Sequence, residues 1–351
     1  MRIGYSFWGF LGPGVTDTPD GGRSHRRVLV DALIAAGHEI MFLQANRDLD
    51  EADTDLTAAY TWDAGLPPVD ALFLEWRWPI PDRNTIPCGA AGHTCDLHRQ
   101  QQLLDHYIRR RATPTVLWDK DQQLPPGDPL RTLGHVTVCE PALHPSPGAV
   151  SLLFPVADDA ISQTTPTALA TEDRSLPLVY IGNQYDRDEA FHRYFAPAAG
   201  HFAHRVAGKW SDTARWPHVN FTDRVPFNEV GPIYRASVAT VLLAPDRYAR
   251  SGQFTQRLFE AVLAGCLPLT PANLRSADRI IPSQLIVWDA SDLVLTLTWL
   301  TRLTASRTHA DLIAQCIEGL HPFRLSRQIR TITAILTGAP TPLPLLQGEH
   351  A

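Results

Sequence analysis

The chain has 351 residues, 44% of them apolar, with 31 basic and 37 acidic residues and a formal net charge of -6. That length holds two domains of ordinary size, and no run reaches the roughly 18 uninterrupted apolar residues that a membrane span needs. The overall field does not attract nucleic acid, so any nucleic-acid contact has to come from a local basic groove such as Arg23, Arg26 and Arg27 or Arg109, Arg110 and Arg111.

The apolar and turn patterns predict a strand over 2–7, a glycine-rich loop over 9–22, a helix over 24–36 and a strand over 39–44. A strand over 71–75, a helix over 98–111 and strands over 115–119, 135–140 and 150–154 follow. Alternating strands and helices imply a parallel sheet of Rossmann type. Residues 158–177 are polar and unpatterned and read as a linker. A second strand-helix series then runs through strands at 178–181, 204–207, 239–243, 266–269 and 286–288. Its helices are expected at 189–195, 227–235, 293–303 and 310–318, and a last amphipathic helix covers 322–336. The expected organisation is α/β: domains over 1–165 and 177–320 facing a central cleft, then a helix and loose tail over 321–351, the helix crossing back to the first domain. Five cysteines without framework spacing, and a first strand that starts at once without a secretory signal region, point to reduced thiols in the cytoplasm.

The most informative segment is 251–270. Ser251 and Gly252 open it in a polar, small-residue turn, and a helical pattern follows with Phe254, Leu258, Phe259, Val262 and Leu263 apolar. Gly265 stands where a left-handed C-terminal cap is needed. Arg257 and Glu260 project from neighbouring positions near the helix start. An arginine fork suits a diphosphate, and a carboxylate suits the two ribose hydroxyls. The alternative is a solvated ion pair. The turn Gly182-Asn183-Gln184-Tyr185-Asp186-Arg187, just past a strand, offers backbone N–H groups and a second arginine to phosphate, or is an ordinary strand-to-helix turn.

In the first half, Asp119 and Asp121 lie past a strand end, where a carboxylate can take the proton of an attacking hydroxyl. The commoner use of such residues is to stabilise a turn. Asp17, Asp20 and Arg23 are the polar candidates around the glycine-rich loop. Arg77 lies between Trp76 and Trp78, which either stack on a base or sugar or are core aromatics. With Arg110 from the second basic cluster, Asp17, Arg23 and Arg77 form the candidate acceptor side. Cys88, His93, Cys95 and His98 supply zinc-type ligands at a spacing that fits no common zinc module, so no metal site is expected there.

The string Arg257-Leu-Phe-Glu-Ala-Val-Leu-Ala-Gly-Cys-Leu-Pro-Leu269 resembles the donor-site helix and following strand of GT-B glycosyltransferases. Tyr180-Ile-Gly182, Val206-Ala-Gly-Lys209, Trp216-Pro217, Phe221-Thr222, Val225-Pro226, Gln253 to Glu260 and Asp278-Arg-Ile-Ile281 resemble, in order, the DNA β-glucosyltransferases of T-even phages. The similarity is clearest between Val179 and Leu293. The resemblance implies a UDP-sugar donor, no obligatory cofactor or metal, and as acceptor a hydroxymethylpyrimidine in double-stranded DNA. It also implies a monomer acting in the host cytoplasm, with no membrane partner. Asp121-Gln-Gln-Leu-Pro125 is similar to the segment carrying the family's catalytic base, which selects Asp121. Arg257 would hold the diphosphate, Glu260 the ribose, and Asn183 and Arg187 fall near phosphate-contacting positions. Gly252 stands where retaining relatives with a paired-glutamate motif carry the first Glu, which favours inversion. The remaining alternatives are transfer to a metabolite, glycan or protein, and a non-catalytic binder of DNA or nucleotide. A sugar-nucleotide epimerase of the same build is a further one.

Overall fold

The computed structural model describes residues 1–12, 21–81 and 84–341 and divides into two units, residues 1–155 with the chain from Leu325 on, and residues 156–324. In the first unit the strands are β1 (Arg2–Ser6), β2 (Glu39–Phe42), β3 (Thr61–Trp62), β4 (Ala71–Glu75), β5 (Thr115–Trp118), β6 (Val136–Glu140) and β7 (Val150–Ser151). They form one sheet in the order β3-β2-β1-β4-β5-β6-β7, with every pair parallel. The first helices are α1 (Arg26–Ala35), α2 (Arg47–Ala52) and α3 (Asp96–Leu103), the last running on as a π-helical segment over Leu104–Arg110.

Parallel strands covered on both faces are apolar throughout rather than alternating. Ala71-Leu-Phe-Leu-Glu75 is buried at every position, and the Tyr5 ring stacks on Phe73 with centroids 4.6 Å apart. The order reverses between β1 and β4. In such sheets the carboxyl-terminal ends of the strands at the reversal are where ligands bind.

The second unit has β8 (Leu176–Ile181), β9 (His204–Ala207), β10 (Phe221–Thr222), β11 (Ser237–Val241), β12 (Leu267–Pro271) and β13 (Ile286–Val287). These form a second parallel sheet, ordered β10-β9-β8-β11-β12-β13, whose reversal lies between β8 and β11. Its helices are α4 (Asp158–Gln163), α5 (Pro166–Ala170), α6 (Asp188–Ala190), α7 (Ala196–Ala199), α8 (Phe227–Arg235), α9 (Asp246–Ser251), α10 (Arg257–Leu263), α11 (Ala290–Leu303) and α12 (Arg307–Glu318). A final helix, α13 (Leu325–Thr337), belongs to the first unit, where it packs against α1 and β5. There the buried Gln328 side chain accepts a hydrogen bond from the Leu153 N–H at 2.9 Å.

Residues 158–177, expected as a linker, instead carry α4 and α5 and join the second unit. Arg174 explains why this polar stretch is ordered. Its guanidinium donates to the carbonyls of Leu169 at 2.8 Å, Arg235 at 2.9 Å and Ser237 at 2.8 Å. One cation thus satisfies carbonyls at the carboxyl ends of two helices, where the helix dipole favours positive charge. Gly265, expected to be left-handed, has φ +72°, and a Cβ there would lie 2.3 Å from Arg174 Nη2.

No helix among the described residues is long and apolar enough to cross a membrane.

Candidate functional site

The second sheet's reversal point is built from two loops and one helix. β8 ends at Ile181, and Gly182 N–H continues the ladder to Ala207 O at 2.8 Å. Arg257, the first residue of α10, donates from Nε to Ile181 O at 2.6 Å and from Nη1 to Thr255 Oγ1 at 3.4 Å. Its guanidinium lies over the Tyr180 ring, 5.5 Å from the centroid. A Cβ on Gly182 would fall 2.4 Å from Arg257 Nη2, so glycine there lets the arginine lie flat on the strand end. Gly208, at φ +148°, would place a Cβ 2.2 Å from Gly182 O. Gly182 therefore makes room for the cation, and Gly208 makes room for the Gly182 backbone.

The hydrogen-bond and ring partners of Arg257 are neutral. Among the described residues it forms no ion pair within 4 Å and Nη2 has no hydrogen bond, and the residue is partly buried. Burial works to lower its pKa, but Tyr180, Tyr234 and Glu260 outweigh it and hold the guanidinium above its ordinary value. Glu260 is partly buried one helical turn further on. The hydroxyls of Tyr180 and Tyr234 are buried without a hydrogen-bond partner among the described residues. A partly buried cation without an ion pair, beside two buried phenols without hydrogen bonds, is an arrangement able to take an anionic, hydroxyl-bearing ligand. α10 has only seven residues, and the charge at this strand end is that of the Arg257 side chain rather than of a helix terminus.

The turn after β8 is cross-tied to the loop after β9. Asn183 Oδ1 accepts from Lys209 N–H at 2.9 Å, Gln184 Oε1 from Ser211 and Asp212 N–H at 3.0 Å each, and Gly182 O from Trp210 Nε1 at 2.8 Å. Asn183 is thus a loop tie. Arg187, 6% exposed, donates to its own turn at Tyr185 O. Ser251 Oγ bonds to Tyr248 O at 3.2 Å, and Gly252 closes α9 at φ +65°. This pair therefore ends one helix rather than opening the next.

In the first unit the two aspartates separate in role. Asp119 is fully buried, and its carboxylate accepts from Gln123 N–H at 3.0 Å and Leu124 N–H at 2.7 Å. Burial raises its pKa to about 6 against the pull of those two bonds, with Asp121 and Glu140 adding to the rise. Asp119 is the turn-stabilising residue. Asp121, two residues further on, is partly exposed beyond the end of β5.

Behind them lies an ion cluster that the sequence did not announce. Glu75, at the end of β4, binds Arg26 through Nε at 2.8 Å and Nη2 at 2.7 Å, Lys120 Nζ at 2.6 Å and Tyr5 Oη at 2.8 Å. Arg26, Glu75 and Lys120 are each at most 4% exposed. A lone charge ending an otherwise apolar strand, and one of the chain's two lysines just past the next, were the available signals.

The acceptor-side candidates scatter. Arg77 is 1% exposed and donates to Ser6 Oγ at 3.0 Å and to Phe7 O. It is a structural bridge from β4 to β1 and not a surface for ligand. Arg110 is exposed at the end of the segment that returns to the amino-terminal edge of the sheet, where β5 begins, so it stands apart from Asp121. Arg23 sits partly buried in a short 3₁₀ turn, Gly22–Ser24, ahead of α1. Asp17 and Asp20 lie outside the described residues. Trp78 packs edge-on against the buried Trp8 with centroids 5.3 Å apart, a core role. Cys88, Cys95 and His98 place their ligand atoms within 4.8 Å of one another, and His93 lies outside that group.

No protein-family model and no curated protein matches the chain. Solved structures do. A T4 phage β-glucosyltransferase is similar over 95% of this chain and 99% of its own, with TM-score 0.63 and 11% identity. An α-glucosyltransferase solved with UDP-glucose and DNA containing an abasic site is similar over 96% and 99%, with TM-score 0.62 and 13% identity. A glycosyltransferase from Rickettsia africae is similar over 96% and 98%, with TM-score 0.55 and 12% identity. The fold is therefore GT-B, as the resemblance in the sequence implied.

Proposed function

We propose that this chain is a glycosyltransferase that moves a sugar from a UDP-sugar to a hydroxyl on a modified pyrimidine in DNA, with inversion. The observation that carries the donor half is Arg257, a partly buried guanidinium at a sheet reversal point whose hydrogen-bond and ring partners are all neutral. A diphosphate supplies the missing charge, and Arg257 stabilises it as the sugar leaves. Glu260 takes the ribose hydroxyls, and Arg187 lies in the adjacent turn. Asp121, carried by β5 and set by the Asp119 turn, takes the proton from the acceptor hydroxyl.

The DNA acceptor is supported by the neighbours, among them a DNA-modifying β-glucosyltransferase and α-glucosyltransferases solved with DNA. Since both β- and α-enzymes share the fold, inversion rests on the chain itself. Gly252, left-handed, falls by the resemblance in the sequence where retaining GT-B enzymes with a paired-glutamate motif carry the first Glu, and this supports inversion.

The test combines binding and transfer. UDP should bind by calorimetry, and Arg257→Ala should weaken it by about 2–5 kcal/mol, the range for truncating a buried charged partner. Unchanged affinity in that variant would remove the cradle. Incubation with UDP-sugars and hydroxymethylated or plain DNA, followed by nucleoside mass spectrometry and NMR of the anomeric linkage, reads acceptor and stereochemistry together. UDP binding without transfer to any acceptor would identify a binder instead.

A further inference from the structure

The connection from β4 to α3 contains the group Cys88, Cys95 and His98, which no part of the proposed transfer uses. Three observations converge on it. Cys95 Sγ lies 3.4 Å from Cys88 Sγ, and Cys88 Sγ lies 3.6 Å from His98 Nδ1. A tetrahedral zinc with Zn–S of about 2.3 Å and Zn–N of about 2.0 Å sets its ligands about 3.8 Å apart for S–S and about 3.6 Å for S–N. Two of the three ligand–ligand edges thus already approach those lengths, and all three ligand atoms lie within 4.8 Å of one another.

The backbone is bent to achieve this. Gly89 and Gly92 adopt φ +88° and +79°, turning the chain back on itself between the two cysteines. Cys95 itself has φ +53°, an uncommon conformation for a residue with a side chain. It is the N-cap of α3, where Ser, Thr, Asp or Asn would normally bond the first turn. Its side chain makes no capping bond and turns to Cys88. His98, in the first turn of α3, presents Nδ1 to the sulfurs, while Nε2 lies 3.4 Å from the Gln102 amide. The Gln102 Oε1 accepts from Arg99 Nη1 at 3.3 Å, and rotation of that amide on metal binding would bring its oxygen to the Nε2–H that coordination through Nδ1 requires. His93 is occupied with Ala90 O at 2.9 Å and is not needed.

We infer that Cys88, Cys95 and His98 bind one zinc ion, with solvent in the fourth position. Two thiolates and an imidazole select zinc over hard cations such as magnesium or calcium. The ion would fasten the β4–α3 connection beside Asp96, which lies 4.0 Å from both Arg47 and Arg77. The other cysteines, Cys139, Cys266 and Cys316, are buried and do not compete.

The experiment uses the full chain, reduced and stripped with a chelator. Zinc is added and the protein is passed through gel filtration, and cobalt is added to a parallel sample. One zinc per chain should co-elute, and cobalt should give thiolate-to-metal charge-transfer absorption. Cys88→Ser and His98→Ala change exposed residues and should keep the wild-type circular dichroism. Each should weaken zinc binding by more than the about 10–100-fold that loss of an outer-sphere hydrogen bond costs. Absence of retained zinc, a cobalt spectrum without the thiolate band, or a Cys88→Ser protein that binds as tightly as wild type overturns the inference. So does a Cys88–Cys95 disulfide in protein isolated under thiol-blocking conditions.

Discussion

At the carboxyl-terminal edge of the first sheet, Glu75 sits between Arg26 and Lys120, and the three charges answer one another in the interior. At the corresponding edge of the second sheet, Arg257 hydrogen-bonds a carbonyl and a hydroxyl and lies over an aromatic face, with the carboxylate of Glu260 acting on it from one helical turn away. Both edges lie at the strand reversal of a parallel sheet, yet one is electrostatically closed and the other open. A closed cluster adds specificity to the fold and positions what stands beyond it, here Asp121. An open one reserves its charge for a ligand. The proposed division of labour follows: proton removal from the first unit, anion binding on the second.

The largest effect that tests this division is at Asp121. Asp121→Asn should lower turnover by about 10²–10⁴-fold, the usual worth of general-base catalysis, while leaving calorimetric UDP affinity near wild type. Arg257→Ala should show the reverse emphasis, losing UDP affinity. If Asp121→Asn retains its turnover, the first edge has no catalytic carboxylate and the comparison fails. Next comes the closed cluster. Glu75→Gln removes the shared partner of two buried cations and should destabilise the first unit by about 3–5 kcal/mol in urea denaturation. A loss below about 1 kcal/mol, the scale of exposed pairs, would mean that the cluster is not electrostatically closed.

Much of this was legible in the sequence because periodicity and caps are local. Strand 71–75 matches β4, and the Gly265 cap and the Arg257 helix fall where the apolar spacing set them. Arg257 could be singled out because its neighbours in sequence describe a helix start after a turn. What it rests on could not. The Tyr180 ring, the Ile181 carbonyl and the paired glycines 182 and 208 come from strand ends 49 to 77 residues away in the chain. Arg77 misled for the same reason: a charged residue between tryptophans reads as surface until Ser6 and Phe7, from another strand, are seen to enclose it. Residues 158–177 read as a linker because their polar side chains lack a period, and the carbonyls that Arg174 gathers are invisible to any local pattern.

The two units should also respond oppositely to acid. Asp119 is buried with a folded pKa of about 6, above its ordinary 3.8. The folded state therefore holds the proton more tightly, so this contribution is full below about pH 4 and is lost as pH rises through about 6. The loss is about 3 kcal/mol. His309 in the second unit is buried with its pKa lowered from 6.5 to about 4. It contributes the opposite slope, stability gained as pH rises from about 4 to about 6.5. Urea denaturation of Asp119→Asn against wild type across this range isolates the first contribution, because the variant cannot titrate there. The difference in stability between the two proteins should change by about 2 kcal/mol between pH 4 and pH 6.5, in favour of the variant at the higher pH. A constant difference would show that the Asp119 carboxylate is not held in a desolvated site.

The smallest effect is the most diagnostic of what the open edge reads. Glu260 influences Arg257 electrostatically from one turn away, so its substitution has two opposed consequences. Glu260→Gln removes a negative charge near the diphosphate, which strengthens binding of phosphate groups. It also replaces the acceptor offered to the ribose, which weakens binding by about 1.5–3 kcal/mol, the range for hydrogen bonds to a charged group. Competition between UDP, 2′-deoxy-UDP and pyrophosphate separates the two. Wild type should prefer UDP over 2′-deoxy-UDP, and the variant should lose most of that preference while binding pyrophosphate at least as well. A variant that keeps the UDP preference would leave Glu260 as a partner of the α10 surroundings and transfer ribose recognition to another group at the same strand edge.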